Sequence, residues 1–330
     1  MQVTYCTYPW AFDCPGGGER QLMAYKTHLG VQAIDINLYD PWKMLDDKAQ
    51  IFHFFSVMPG SIQLCNHMKG KGLKLVISPN LWVTPETRWD YPHEDIFRLL
   101  QIADLIIVNS QLEAYALAEV YDLPAERFHV VYNGVEEAFF EVVEAQAFRD
   151  WAGIGSQRYL LNVANIEPRK NQLAFLEAMS EATDLTLVVV GHVRDHAYFE
   201  ACQKRGGARF IHAGPLDYAS RMLRSAMNGA EAFVMPSTLE TPSIAALEAA
   251  ASGCRVLITE VGSTKEYFGE QAIYIKPTSV ESMRMGIEQV LQLEKGNLRE
   301  RMRCHFTWSK TIQNLKKAYN AALLQERSSL

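Results

Sequence analysis

A chain of 330 residues is long for one hydrophobic core and fits two domains of ordinary size. Hydrophobic residues make up 48% of it, which excludes an intrinsically disordered chain. A net charge of -6 argues against a duplex-DNA binder, which presents a basic face, yet leaves room for a small anionic ligand held by a few placed cations. The six cysteines, Cys6, Cys14, Cys65, Cys202, Cys254 and Cys304, are scattered and form no C-x-x-C pair, so neither a zinc ribbon nor a thioredoxin-like site is readable. Reduced thiols in a cytoplasmic protein are expected. The start, Met1-Gln2-Val3-Thr4-Tyr5, begins like a strand and not like a signal peptide. No apolar run approaches the roughly 20 residues of a membrane span, so any membrane contact is expected to be peripheral, at the inner face.

In chain order, short apolar and β-branched runs predict strands at Val3–Tyr8, Ala33–Leu38, Ile51–Phe55, Leu73–Ser78, Leu105–Asn109 and His129–Tyr132. Amphipathic stretches between them predict helices near Gly18–Leu29, Gly60–Lys69, His93–Ala103 and Leu112–Tyr121. The second half repeats the plan, with strands at Tyr159–Ala164, Leu185–Val190, Arg209–His212, Ala232–Met235, Val256–Thr259 and Ala272–Ile275. Its helices are expected near Asn171–Glu181, Tyr198–Lys204, Tyr218–Met227, Pro242–Ala251 and Val280–Leu293. Such alternation implies parallel sheets covered on both faces, hence two doubly wound α/β domains facing across a cleft, with ligands at the carboxyl ends of the strands. The boundary is expected near Glu141–Gly155, at the charged stretch that follows the turn Asn133-Gly134, which puts one domain over 1–145 and the next from 146.

Three segments carry candidate chemistry. Glu240-Thr241-Pro242-Ser243-Ile244-Ala245-Ala246-Leu247-Glu248 follows a strand. Thr241 suits an N-cap and Pro242 the first helical position, so the free N–H groups of Ser243, Ile244 and Ala245 could hold a phosphate. Glu240 and Glu248 are acceptor-only carboxylates suited to sugar or ribose hydroxyls. A capped surface helix with solvated glutamates is the alternative. In Asn165-Ile166-Glu167-Pro168-Arg169-Lys170-Asn171, Arg169 and Lys170 stand in a strand-to-helix loop, where two cations would neutralise a leaving diphosphate; a solvated basic pair fits as well. Pro15-Gly16-Gly17-Gly18-Glu19-Arg20 lets backbone approach a ligand closely, or is a plain turn; it is neither a P-loop nor G-x-G-x-x-G.

The order of these pieces resembles retaining glycosyltransferases of GT-B fold, specifically glycosyltransferase family 4. The E-x7-E pair followed by Ala249-Ala250-Ala251-Ser252-Gly253-Cys254-Arg255-Val256 looks like that family's donor-site motif. Val108-Asn109-Ser110 and the run from Leu123 to Val135 are similar to its interdomain segment, and Phe306-Thr307-Trp308-Ser309-Lys310 is similar to the opening of its last helix. The resemblance implies a GT-B architecture of two Rossmann-like domains: an acceptor domain over 1–145, a donor domain over 146–308, and a C-terminal helix over 309–330 that packs back toward the first. It implies a metal-independent, retaining hexosyltransferase without cofactor. The donor would be a nucleotide-diphosphate sugar, the acceptor a sugar or lipid-linked hydroxyl, and the setting surface polysaccharide or glycoconjugate synthesis. Glu248 would take the ribose hydroxyls, Glu240 a hydroxyl of the transferred sugar, Lys170 the diphosphate, and Leu216 the base. The backbone at Ser243–Ala245 and the glycines Gly17 and Gly18 would lie at the phosphates. No D-x-D triplet occurs, in keeping with the absence of a metal.

Three departures stand out. Asn165 occupies the place of the family's usual arginine, and Arg169 is the candidate to supply that charge. Thr241-Pro242-Ser243 replaces a glycine-rich stretch. Asn80, in Ser78-Pro79-Asn80, stands where a histidine is often found. These keep open a silent paralogue that binds a nucleotide or a partner; a GT-B sugar-nucleotide epimerase is a further alternative. Acceptor candidates are His53 at a strand end, Asn80, and Trp82, which with Trp89 and Tyr91 could form an aromatic platform; burial in the core is the alternative for each.

Overall fold

The computed structural model describes residues 1–13, 15–179 and 184–324. The chain divides into two compact units, one of Met1–Asn133 completed by the segment from Trp308 onward, the other Gly134–Thr307.

The first unit is built on a six-stranded parallel sheet of β1 (Gln2–Cys6), β2 (Asp35–Leu38), β3 (Ile51–Phe55), β4 (Lys74–Ser78), β5 (Leu105–Val108) and β6 (Phe128–Val130), in the order β2-β1-β3-β4-β5-β6. Its crossover helices are α1 (Gly17–Gly30), α2 (Ser61–Gly70), α3 (His93–Ile102) and α4 (Gln111–Tyr121). The sheet is apolar on both faces because helices cover both, and Phe52, Leu75, Ile77 and Ile106 are all fully buried. Ser110 caps α4 by accepting from Glu113 N at 3.0 Å.

The second unit repeats the design with β7 (Arg158–Val163), β8 (Leu185–Val190), β9 (Phe210–Gly214), β10 (Ala232–Met235), β11 (Val256–Thr259) and β12 (Ile273–Ile275), in the order β12-β11-β10-β7-β8-β9. Its helices are α5 (Gln146–Trp151), α6 (Gln172–Ala178), α7 (His196–Gly206), α8 (Arg221–Gly229), α9 (Ile244–Ala251), α10 (Thr264–Phe268), α11 (Val280–Gln292) and α12 (Arg299–His305). Asp195, Ser220 and Ser279 cap α7, α8 and α11 through their side-chain oxygens. Every residue of β8 is buried, as an uninterrupted run of Leu, Thr and Val requires in a strand covered on both faces.

The chain enters the second unit at Gly134, ahead of the charged stretch 141–150. Val135 N donates to Phe306 O at 2.8 Å, and Phe139, Phe140 and Phe148 are buried. The helix α13 (Trp308–Leu324) then returns to the first unit and packs on α1. Its buried stripe, Trp308, Thr311, Ile312, Leu315, Ala318, Tyr319 and Ala322, recurs every three or four residues, the spacing of one helix face. The twelve predicted strands coincide with β1–β12 to within about two residues at each end. Sequence reading missed α5, α10 and α12, at most seven residues each and too short for a clear period. The expected helix to Glu181 runs to Ala178; residues 180 and 181 lie outside the described residues. Among the described residues no helix is long and apolar enough to cross a membrane.

Candidate active site

In the second sheet, β7 lies between β8 and β10, so the crossovers leaving β7 and β10 diverge and their carboxyl ends flank the switch point. The loop after β7 carries Glu167, Arg169 and Lys170, and the loop after β10 carries Glu240. Lys170 Nζ reaches Glu240 Oε1 at 2.6 Å, with the two side chains only 13% and 7% exposed. Arg169, half exposed, places Nη1 4.0 Å from the same oxygen and Nη2 3.4 Å from Glu167 Oε1. Backbone fixes the arrangement: Thr238 N donates to Arg169 O at 2.9 Å, and Asn171 Nδ2 donates to Pro236 O and Pro277 O. Burial by itself would raise the Glu240 carboxyl, but Lys170 and Arg169 outweigh it and hold the group below the usual carboxylate range. Its contribution to stability is therefore complete above the ordinary glutamate range and is lost only as pH falls through the depressed value. Burial works in the opposite sense on Lys170, lowering its ammonium below the usual lysine value against the pull of Glu240.

Two glycines set the loops. A Cβ on Gly262 (φ +104) would stand 2.0 Å from Glu240 O, and a Cβ on Gly191 would stand 2.1 Å from Ala164 O. The first lets the loop after β11 bridge to Glu240, whose N–H donates to Val261 O at 3.2 Å while its carbonyl accepts from Ser263 N at 3.1 Å. We expect Gly262→Ala to lower the melting temperature, with a loss of about 1–3 kcal/mol for a side chain forced into that conformation. Donor affinity should fall with it, because Glu240 must move; calorimetric melting and nucleotide titration of the variant check both.

The helix start differs from expectation. α9 begins at Ile244 and its cap is Ser243, at φ 77 and ψ 97, not Thr241. The Ser243 carbonyl and hydroxyl, at 3.1 and 3.4 Å, both face Ala246 N, so a serine three residues before that amide outcompetes the proline for the start. The first-turn amides of Ile244 and Ala245 follow at the carboxyl edge beside Glu240. Glu248 lies one turn further along α9 and is fully buried among alanines. Leu216, two residues past β9, is half-buried. The structure thus gathers Lys170, Arg169, Glu240 and the tip of α9.

Asn165 follows β7, and its backbone O accepts from Gln172 Nε2 at 3.0 Å. With its amide oxygen turned toward Arg194, Asn165 Oδ1 accepts from Arg194 Nε at 3.0 Å and Nη2 at 3.2 Å. Arg194 also donates from Nη1 to Glu167 Oε2 at 3.4 Å. Sequence reading missed this arginine although a signal was present: like Arg169, it stands in the loop directly after an apolar run, here Leu185–Val190 followed by Gly191.

In the first unit, Gly17 and Gly18 open α1, and a Cβ on Gly18 would stand 3.4 Å from Asn80 Nδ2. Asn80, at φ 49 just after β4, accepts from Asn109 Nδ2 at 2.8 Å. Trp82 is half-buried in the following loop. His53 is a correction: it sits in the middle of β3, not at its end, and is wholly buried. Its Nδ1 meets Tyr319 Oη at 2.5 Å and its Nε2 meets Ser78 Oγ at 2.8 Å, so it belongs to the core and cannot reach an acceptor. Burial lowers its pKa well below the ordinary histidine value of 6.5. The unfolded chain therefore binds a proton that the folded one refuses, and stability falls as pH drops below 6.5. The expected result is a progressive loss of stability as pH falls below the ordinary histidine range. Denaturant titrations at stepwise pH should show it, and His53→Gln should remove it.

Two Rossmann-like parallel sheets in one chain, the second carrying paired charges and a helix tip at its switch point, define the GT-B class of fold. The chain belongs to the GT-B glycosyltransferases of the family 4 type: residues 144–305 match the family described as Glycosyl transferases group 1, and residues 27–139 that described as Glycosyltransferase Family 4. It is 24% identical over 244 residues to a D-inositol 3-phosphate glycosyltransferase of Segniliparus rotundus, covering 68% of this chain and 54% of that protein. The chain spans about half the length of the curated relatives it matches. In fold it is similar to sucrose-phosphate synthase from Thermosynechococcus elongatus, at TM-score 0.80 and 15% identity over 97% of this chain and 98% of that one. It is equally similar to Anabaena Alr3699/HepE in complex with UDP-glucose, at TM-score 0.80 and 15% identity over 97% and 100% of the two chains.

Proposed function

We propose that the second unit binds a nucleotide-diphosphate sugar and that the protein transfers its hexose, with retention and without a metal ion, to a hydroxyl acceptor in surface polysaccharide or glycoconjugate synthesis. The observation that carries this reading is the 2.6 Å Lys170–Glu240 pair beside the first-turn amides of α9, at the switch point of a parallel sheet. The family and the UDP-glucose complex of a protein with the same fold support it.

When the bond from sugar C1 to the diphosphate oxygen breaks, negative charge grows on the leaving phosphate. Fixed donors aimed at that charge stabilise the transition state more than the ground state. Lys170, Arg169 and the amides of Ile244 and Ala245 are such donors, and they supply the positive field that a metal ion would otherwise provide. Glu240 holds the lysine in place and offers an acceptor to a sugar hydroxyl. In a front-face route, the leaving phosphate oxygen takes the acceptor's proton as the acceptor oxygen bonds to C1 on the face just vacated. The products are the glycoside, with its anomeric configuration kept, and the protonated nucleoside diphosphate. No enzymic nucleophile is needed.

The test is incubation with UDP-, GDP- and ADP-sugars and a panel of hydroxyl acceptors, with and without EDTA, followed by NMR of the product. We expect nucleotide release, an unchanged anomeric configuration and no loss of rate in EDTA. Inversion, or activity abolished by EDTA and restored by a divalent ion, would overturn the mechanism. Binding without turnover on any acceptor or water would identify a silent paralogue.

A further inference from the structure

Without a third cation, the charged side chains around the proposed donor site have no net positive charge to offer a diphosphate. Lys170 is neutralised by Glu240 at 2.6 Å, and Arg169 is shared between Glu240 and Glu167. Those two cations and two carboxylates sum to no net charge, whereas a sugar-linked diphosphate carries two negative charges, and more once it leaves. Arg194, on the loop after β8, joins the same cluster through Glu167 and leaves it with one net positive charge to set against the diphosphate.

Its placement is built and not incidental. Gly191 allows the loops after β7 and β8 to touch, since any Cβ there would overlap Ala164 O. Ile166 and Val193 form a parallel bridge, with Arg194 N donating to Ile166 O at 3.1 Å. This carries the arginine to the carboxyl edge beside Asn165, which accepts from Nε at 3.0 Å and Nη2 at 3.2 Å, while Glu167 accepts from Nη1 at 3.4 Å. A guanidinium held on its Nε–Nη2 edge by an amide and at Nη1 by a carboxylate is oriented in plane, the geometry suited to phosphate oxygens. The side chain remains 36% exposed, within reach of a ligand.

We propose that Arg194 is the diphosphate-neutralising arginine of this site, and that Asn165 and Glu167 are its positioning residues. The inference rests on the donor-site reading above and deepens it. Asn165 is then no defect of the site but the group that aims its arginine, which adds a further positive charge beside Lys170 and Arg169.

The experiment compares binding of UDP, GDP and ADP, and of their parent nucleosides, to the full chain and to its Arg194→Ala, Arg194→Lys, Asn165→Ala and Lys170→Ala variants, each first checked for an intact thermal transition. For Arg194→Ala we expect diphosphate affinity to fall by roughly tenfold to hundredfold, the worth of a lost charge-assisted contact, with nucleoside affinity unchanged. Arg194→Lys should recover part of the loss. Asn165→Ala should weaken diphosphate binding less, and combining it with Arg194→Ala should add nothing, because the amide acts only through the arginine. Unchanged diphosphate affinity in Arg194→Ala alongside a loss in Lys170→Ala would overturn the assignment and leave the donor site standing. A wild-type chain that binds none of the diphosphates would overturn the donor-site reading itself, and this inference with it.

Discussion

Lys170→Met is expected to reduce sugar transfer by about a hundredfold to a thousandfold, the usual consequence of removing one donor aimed at a developing oxyanion. It should also destabilise the second unit. Glu240 is 7% exposed and lies 2.6 Å from the ammonium, so deleting the lysine strands a buried carboxylate. Such losses run to about 3–5 kcal/mol; the lower end applies here, because Arg169 still stands 4.0 Å from the same oxygen. The double variant Lys170→Met with Glu240→Gln separates the two roles. With neither charge present, most of the stability should return while transfer stays low. Chemical denaturation and initial rates of nucleotide release measure the two quantities independently. A double variant that transfers at the wild-type rate would show the pair to be architectural only.

Ending the chain at Thr307 is expected to unfold the first unit. The helix α13 contributes Trp308, Ile312, Leu315 and Tyr319, all at most 1% exposed, to a core formed otherwise by residues of Met1–Asn133, far earlier in the chain. Trp308 meets the Tyr25 ring edge-on at 5.9 Å, and Tyr319 Oη donates to Tyr5 Oη at 3.0 Å besides meeting His53. At about 1.5–3 kcal/mol for each large buried side chain, four of them amount to roughly 6–12 kcal/mol. That matches the whole stability of an ordinary domain, about 5–15 kcal/mol. Hydrogen-exchange protection of β1, β3 and β4 amides should collapse in the truncated chain. In Trp308→Ala the same amides should lose about 3–5 kcal/mol of protection. Retained protection after truncation would mean that α13 is not part of that core.

Much of this protein is written locally. The short, nearly continuous apolar runs locate all twelve strands, and the capping residues Ser110, Asp195, Ser220 and Ser279 stand at the starts of their helices. Lys170 and Glu240 are both visible as charged residues just past a strand, because strand-then-loop order alone puts them at a carboxyl edge. That they touch across 70 residues is decided by sheet order, which sets β10 beside β7; strand order depends on long-range packing that no local window contains. The same holds for His53, whose sequence neighbours place it on a strand but whose burial comes from Tyr319, 266 residues away. The start of α9 shifted from Thr241 to Ser243 because two good local signals competed and the hydroxyl facing Ala246 N won. Asn165 looked like a missing charge until folding set Arg194 against its amide, 29 residues later in the chain and one strand over. The amino-acid sequence by itself determined which faces are buried and which residues end the strands, since both follow from nearest-neighbour geometry. Which charges meet was left to the tertiary structure, because Coulomb energy depends on distance in space and burial, and the fold alone sets those.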